Sequence, residues 1–107
     1  MYKASVDEIE IKSLDRTPPQ QASQQLKERV DLLAHGGKLK ITGTDFNEVS
    51  RRFSQREFNI PTLNDILSGH QSFTTIDSRC DELINLGLVI SVKKIEGLQY
   101  YIEAVRN

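Results

Sequence analysis

The segment TTIDSR, residues 74–79, concentrates side chains that can form directional hydrogen bonds. The hydroxyls of Thr74, Thr75 and Ser78 can each donate and accept a bond, and the guanidinium of Arg79 can donate two parallel bonds. Groups of this kind recognise the base edges and phosphate oxygens of nucleic acids, and arginine pairs most often with guanine. These four residues are therefore the first candidates for contacts with DNA bases.

Cations that could hold a phosphate backbone lie in two further segments. Lys93 and Lys94 belong to a β-type run near the end of the chain. Arg51, Arg52 and Arg56 belong to a run with helical period, and for them an exposed helix face with ion pairs is the alternative interpretation. The predicted DNA-binding residues are thus Thr74, Thr75, Ser78, Arg79, Lys93, Lys94, Arg51, Arg52 and Arg56.

The sequence contains none of the common catalytic or metal-binding motifs. There is no nucleophile elbow, phosphate-binding loop or zinc-protease helix. His35, His70 and Cys80 are the strongest nitrogen and sulfur candidates for ligands, but their spacing is not that of a metal site. His70 lies in a predicted turn, and the sequence implies no carboxylate partner for it. The chain is therefore predicted not to be an enzyme and to have no catalytic residues, no metal and no cofactor.

Length, charge and composition limit the function further. The 107 residues suit one domain, and the net charge of −1 argues against strong non-specific DNA binding. A few well-placed cations would therefore have to supply the affinity. The chain contains no apolar run of about 18 residues and no signal-peptide pattern, and its single cysteine, Cys80, fits a reducing compartment. We expect a soluble, cytoplasmic protein that does not enter a membrane.

The apolar periodicity predicts four helices followed by a β-hairpin. The helices are expected near residues 18–35, 45–57, 62–68 and 73–86, and the strands near residues 88–94 and 98–104. Gly87 is expected to end the fourth helix in a left-handed conformation, and Gly97 to form the hairpin turn. Residues 1–17 are predicted to form an N-terminal arm or short strand, and residues 18–107 the domain itself.

A short helix, a longer helix, a glycine stop and a hairpin in this order are typical of a helix-turn-helix followed by a wing. Here the sequence resembles the winged-helix regulators of bacteria and phages, including the metal-sensor repressor type, and small helix-turn-helix domains of prophages. The residues that match the recognition segment and wing of these families are Ile76, Ser78, Arg79, Leu83, Gly87, Leu88, Val89, Gly97, Tyr100 and Tyr101. The resemblance implies a mainly α fold with a small β-hairpin, a winged helix-turn-helix, and DNA binding without the sensors' metal site.

The resulting hypothesis is sequence-specific binding of double-stranded DNA by a small regulator of transcription or of a phage or prophage element. The recognition helix, residues 73–86, would enter the major groove, and the wing, residues 93–97, would contact the backbone. The alternative is a winged helix that binds a protein partner through an acidic helix face formed by Asp77, Asp81 and Glu82. Whether the chain forms a homodimer, and whether its second helix is an insertion, stays open.

Overall fold

A computed structural model of the chain describes residues 6–12 and 14–107. Their helices and strands are, in chain order, β1 (Val6–Ile11), α1 (Pro19–Leu32), β2 (Leu33–Thr44), α2 (Phe46–Ser54), α3 (Ile60–Leu67), α4 (Ile76–Asn85), β3 (Leu88–Glu96) and β4 (Gln99–Arg106). A 3₁₀ turn at Leu14–Arg16 lies between β1 and α1. Residues 1–5 of the predicted N-terminal arm lie outside the described residues, and the division into an arm and a domain stays a prediction.

Within the described part of the chain, four strands form one mixed sheet in the order β1-β2-β4-β3. β1 runs parallel to β2, with Ile9 opposite Leu39 and Ile11 opposite Ile41. β4 is antiparallel to both β2 and β3. α1 connects the two parallel strands, because a parallel pair needs a crossover that returns the chain to the same end of the sheet. The carboxyl ends of β1 and β2 therefore lie at the same edge.

The hydrophobic core lies between one face of the sheet and helices α1 and α4. Side chains that alternate along β2 and β4, among them Leu39, Ile41 and Ile102, are fully buried there. The helices contribute apolar residues to the same cluster, namely Ala22, Leu26, Val30, Cys80 and Leu83. The opposite face carries ion pairs such as Lys38–Glu103, at 3.1 Å, and is therefore polar. Among the helices described, none is long and apolar enough to cross a membrane.

The predicted fold class, a mainly α winged helix-turn-helix with a small β-hairpin, is wrong. The predicted helices and hairpin lie near observed elements, but the prediction missed the sheet around which these elements pack. β1, α1 and β2 form a parallel β-α-β unit, and β2 extends over 12 residues. The fold is therefore of the α/β type, with a mixed sheet.

One long-range contact accounts for the early end of α1, which was predicted to extend to residue 35. The Arg106 guanidinium, at the end of β4, donates from Nη1 to the carbonyl oxygens of Val30 and Leu33 at 2.9 and 2.7 Å. Carbonyl oxygens in the last turn of a helix have no partner within that helix. Val30 O also accepts the N–H of the cap residue Leu33, and Arg106 adds a second donor from β4 at the point where the chain leaves the helix and enters β2.

Candidate functional site

An open cavity of about 400 Å³ lies at the edge where β1 and β2 end and β4 begins. In open α/β sheets, ligands bind outside the carboxyl ends of the parallel strands, so this edge is the first place to look for a site. The residues that line the cavity are Glu10, Lys12, Asp15, Arg16, Thr42, Gly43, Thr44, His70 and Gln99. They come from the two parallel strands, the turn after β1, the segment before α4 and the start of β4.

Asp15 is a buried carboxylate at the centre of this edge. It lies in the 3₁₀ turn after β1 and is only 8% exposed. Its Oδ2 accepts the backbone N–H of Thr44 at 2.7 Å, and its backbone carbonyl accepts the N–H groups of Gln71 and Ser72. Its Oδ1 is buried and has no hydrogen-bond partner among the described residues. A buried carboxylate oxygen without a donor is costly, and its presence at a cavity points to a ligand-binding role.

His70 lies against Asp15 and Thr44. Its side chain is 10% exposed, with Nε2 3.0 Å from Thr44 Oγ1 and 3.8 Å from Asp15 Oδ2. Its Nδ1 is buried and has no hydrogen-bond partner in the part of the chain described. The preceding residue, Gly69, has a φ of 79°, and a Cβ there would collide with the guanidinium of Arg16. The imidazole thus lies within hydrogen-bond distance of a hydroxyl and close to a carboxylate, both of which line the cavity.

Asp45 fixes the elements that surround the cavity. Its carboxylate is almost fully buried and accepts two backbone N–H groups, that of Glu48 at 2.8 Å and that of Ile76 at 2.7 Å. The first bond caps α2, and the second holds the first residue of α4. One side chain at the end of β2 therefore positions the starts of two helices.

The residues predicted to read DNA bases are mostly used inside the protein. Arg79 is 5% exposed, and it donates from Nε to Tyr100 Oη at 3.2 Å and from Nη1 to Glu82 Oε1 at 2.6 Å. Thr75 caps α4, with Oγ1 accepting the N–H of Ser78 at 3.2 Å. The Ser78 side chain is exposed. The start of the predicted recognition helix is thus occupied by capping bonds, and its arginine points into the core.

The two lysines predicted to contact the DNA backbone are paired with acids. Lys93 Nζ lies 2.5 Å from Asp77 Oδ1, and this hydrogen bond raises the pKa of Lys93. Lys94 Nζ lies 3.0 Å from Glu96 Oε1 and 5.3 Å from the ring centre of Tyr101. Their charges are therefore balanced by neighbours on the protein.

Four predicted DNA-binding residues remain. Arg51 and Arg52 lie on α2, Arg56 follows it, and Thr74 precedes α4. Arg51 and Arg52 both pair with Glu48, and the bond from Arg51 is the main cause that lowers the pKa of Glu48. Arg56 follows α2 with a φ of 61°. Thr74 Oγ1 donates to the backbone carbonyl of Thr75 at 3.4 Å. The structure does not bring the nine predicted residues together into one surface.

The residues of the carboxyl-edge cavity were missed by the sequence prediction. Asp15 was not singled out, and His70 was set aside because no carboxylate partner was apparent. For Asp15 the signal was an acidic residue four positions after a β-type run, but it has meaning only if that run is a parallel strand. For His70, which follows α3, the sequence held no comparable signal. Within residues 6–12 and 14–107, no cluster of three or more His, Cys, Asp or Glu side chains could hold a metal ion.

Solved structures of S-adenosylmethionine (SAM)-dependent methyltransferases are similar in fold to nearly the whole chain. A SAM-dependent methyltransferase from Methanosarcina mazei has a TM-score of 0.70 and 17% identity, and the match covers 99% of this chain and 61% of that one. An O-methyltransferase family protein from Burkholderia thailandensis has a TM-score of 0.68 and 15% identity, with coverage of 94% and 30%. A SAM-dependent methyltransferase from Thermotoga maritima has a TM-score of 0.65 and 14% identity, and the match covers 100% of this chain and 58% of that one.

The chain spans less than two thirds of each of these three proteins, and the low identities limit the likeness to the fold. No protein-family model and no curated protein sequence matches the chain. The fold likeness nevertheless overturns the winged-helix resemblance, because the similar structures are methyltransferases with an α/β sheet and not regulators.

The functions drawn from that resemblance are wrong as well. Sequence-specific DNA binding by a transcriptional or phage regulator is contradicted, and so is double-stranded DNA as the partner. The alternative, a winged helix that docks a protein through its acidic helix face, loses its support with the fold. The prediction that the chain is not an enzyme is also contradicted, since the similar solved structures named above are methyltransferases. The assignment of the nine predicted residues as DNA contacts depended on that function and is not retained.

Proposed function

We propose that this protein takes part in the transfer of a methyl group from SAM to a nucleophile on a second substrate. The observation that carries the proposal is the fold likeness to SAM-dependent methyltransferases over almost the entire chain. The cavity at the carboxyl edge of β1 and β2 supports it, because this edge is where α/β sheets bind their ligands.

The polar groups of the cavity fit a ligand such as SAM. That molecule carries an ammonium group and ribose hydroxyls, which donate hydrogen bonds, and a positively charged sulfonium. The cavity offers carboxylates from Glu10 and Asp15, and Asp15 Oδ1 has no donor among the residues described. These acceptors complement the donors and the positive charge, and the cations of the same lining, Lys12 and Arg16, complement the carboxylate of SAM. Asp15 is the residue that we expect to hold the ligand, with Glu10, which also pairs with Lys12 at 3.8 Å. When bound, SAM would supply an electrophilic methyl group.

His70 is the residue that we expect to receive the proton that the acceptor loses. If Thr44 Oγ1 donates to Nε2, that nitrogen holds the lone pair, and a proton can reach it through the Thr44 hydroxyl, whereas Nδ1 is buried. Protonation at Nε2 creates an imidazolium with this nitrogen 3.8 Å from Asp15 Oδ2. Asp15 would stabilise that charge, and Thr44 would fix the orientation of the ring.

A binding and transfer experiment tests the proposal. S-adenosylhomocysteine is titrated into the protein by calorimetry, and we expect binding that Asp15→Asn weakens. Lys27→Ala, on the exposed side of α1, serves as the control and should leave the affinity unchanged. Label moving from methyl-labelled SAM to acceptors in a small-molecule extract then measures the transfer itself.

His70→Gln separates binding from proton uptake. We expect this variant to keep its affinity for S-adenosylhomocysteine but to lose most of the transfer activity, by roughly a hundredfold, which is typical for loss of a general base. Absence of any S-adenosylhomocysteine binding by the folded wild-type protein would contradict the proposal.

We also infer a cytoplasmic location, because the single cysteine, Cys80, is buried as a free thiol and suits a reducing compartment.

A further inference from the structure

A second open cavity, of about 740 Å³, lies between the end of α2 and the start of α3. Phe53, Phe58 and Ile60 form its apolar wall. The centres of the two phenylalanine rings lie 6.0 Å apart, with the planes tilted by 40°, and Ile60 is 56% exposed. Surface cavities of this size can hold a small molecule. The residues that line this α2–α3 cavity are Phe53, Ser54, Arg56, Phe58, Asn59 and Ile60.

The polar groups of the α2–α3 cavity can donate hydrogen bonds. Arg56 supplies the only charge among the described residues that line it. Asn59 Oδ1 accepts the N–H of Thr62 at 3.0 Å, which leaves the amide N–H groups of Asn59 as donors. The hydroxyl of Ser54 can donate as well. The cavity therefore carries a positive charge beside an apolar wall, and it complements an anion.

The charge of Arg56 is not balanced by an ion pair within residues 6–12 and 14–107, and its side chain has no hydrogen bond there. The two arginines of α2 differ from it, because Arg51 and Arg52 both pair with Glu48. The next residue, Glu57, does not belong to the lining of the cavity. The guanidinium of Arg56 is thus available to a ligand.

The backbone at Arg56 has a conformation that favours glycine. Its φ is 61°, its N–H donates to the carbonyl oxygen of Phe53, and the N–H of Glu57 donates to that of Arg52, both at 3.0 Å. These two bonds form a Schellman motif, in which the left-handed residue is usually glycine. A residue with a Cβ is penalised there, so arginine at this position points to a role other than stability.

We propose that the α2–α3 cavity binds an aliphatic carboxylic acid, a flexible hydrocarbon chain that ends in a carboxylate. The chain packs on the apolar wall, and the carboxylate accepts hydrogen bonds from Arg56 and Asn59. A flat, rigid molecule cannot lie on two rings inclined by 40°, whereas a flexible chain can follow both. The site is independent of the proposed methyl transfer, because the described linings of the two cavities share no residue.

Calorimetric titration with decanoate, below the concentration at which it forms micelles, tests the proposal. We expect decanoate to bind more tightly than acetate, which lacks the chain, and than decyltrimethylammonium, which has the same chain and the opposite charge. Arg56→Gln should weaken decanoate binding by about fivefold, the upper end of the range for an exposed ion pair. Arg51→Gln removes an arginine that is paired with Glu48, and as the matched control it should leave the affinity unchanged.

Arg56→Gly separates ligand binding from folding. Glycine suits the left-handed turn, so we expect a higher urea midpoint of unfolding, together with the same loss of decanoate affinity as in Arg56→Gln. Ile60→Ala shortens the apolar wall and should weaken decanoate binding by about threefold. Ile84→Ala, which truncates an exposed apolar residue on α4, should not change the affinity.

Two results of these titrations would overturn the proposal. The first is equal affinity for decanoate and decyltrimethylammonium, and the second is unchanged decanoate affinity in both Arg56 variants. Sedimentation with phosphatidylglycerol vesicles distinguishes a free acid from a membrane surface. Vesicle binding that depends on Arg56, without binding of free decanoate, would also overturn the proposal.

Discussion

Asp15 Oδ2 accepts the backbone N–H of Thr44 at 2.7 Å and so joins the carboxyl ends of the two parallel strands. The bond links the turn after β1 to the last residue of β2, at the edge where the candidate site lies. It uses only one of the two carboxylate oxygens, and the other is buried without a donor in the described structure. Asp15 thus has one oxygen that bonds to the protein and one buried oxygen without a donor, and it belongs to the residues that line the cavity.

Two substitutions distinguish the hydrogen bond of Asp15 from its negative charge. Asp15→Asn keeps an oxygen that can accept the Thr44 N–H, so we expect the free energy of unfolding to change by less than about 1 kcal/mol. Asp15→Ala leaves that N–H without its acceptor and should cost about 1–3 kcal/mol. Urea denaturation of the two variants measures the difference. Equal losses in both would mean that the negative charge, and not the hydrogen bond, stabilises this edge.

Asp45 gives a second prediction, because its carboxylate accepts backbone N–H groups at the starts of two helices. Asp45→Ala removes the acceptors of the Glu48 and Ile76 N–H groups, and we expect a loss of about 2–4 kcal/mol in the free energy of unfolding. The matched control is Asn59→Ala, which removes the exposed cap of α3 on the N–H of Thr62 and should cost only about 1 kcal/mol. If thermal and urea denaturation show similar losses for both variants, the bond to Ile76 contributes nothing.

Arg79 gives a third prediction, which separates a buried role from a surface role. Arg79→Ala leaves the hydroxyl of Tyr100 without its donor and breaks the ion pair with Glu82, so we expect a loss of about 2–4 kcal/mol in the free energy of unfolding. Arg51→Ala, which breaks a pair on an exposed helix face, should have little effect. Denaturant titrations give the free energy of unfolding of both variants. A similarly small loss in the two would contradict a stabilising role for the buried bonds of Arg79.

Tyr101 gives a prediction about pH. Its hydroxyl donates to Glu103 Oε2 at 2.5 Å, and this bond to a carboxylate raises the pKa of Tyr101 to about 12. A raised pKa means that the contribution of Tyr101 to stability is complete below its ordinary pKa of about 10 and is lost as the pH rises through the folded value. The same bond lowers the pKa of Glu103, so that its contribution is lost only as the pH falls through this lowered value.

The absorbance of tyrosinate at high pH measures this shift. The wild-type titration minus that of Tyr101→Phe isolates Tyr101 from the other tyrosines. We expect Glu103→Gln to return the pKa of Tyr101 toward its ordinary value. An unchanged pKa of Tyr101 in this variant would show that the hydrogen bond is not its cause.

Local residue patterns determined where several elements begin and end. Gly87 ends α4 with a φ of 93°, as the sequence predicted for a left-handed stop. Thr75 caps the start of α4, which was predicted to begin at residue 73. Gly97, with a φ of 62°, forms the turn between β3 and β4. These features depend on neighbours in the chain, since caps and tight turns are set by the φ range and hydrogen-bonding groups of a few consecutive residues.

Tertiary structure decided the fold class and the candidate site. The parallel pairing of β1 with β2 cannot be read from either strand alone, because an edge strand and a loosely attached arm have similar residue patterns. The end of α1 depends on Arg106, which is distant in the sequence. Asp15 and His70 each have an unremarkable local context, and they become a candidate site only when the sheet brings the turn after β1 against the segment before α4. Arg79 was a predicted site residue that the fold removed from the surface. Its position near the start of a helix indicated an exposed base contact. The packing of α4 on β4 instead turns its side chain toward Tyr100 and away from solvent.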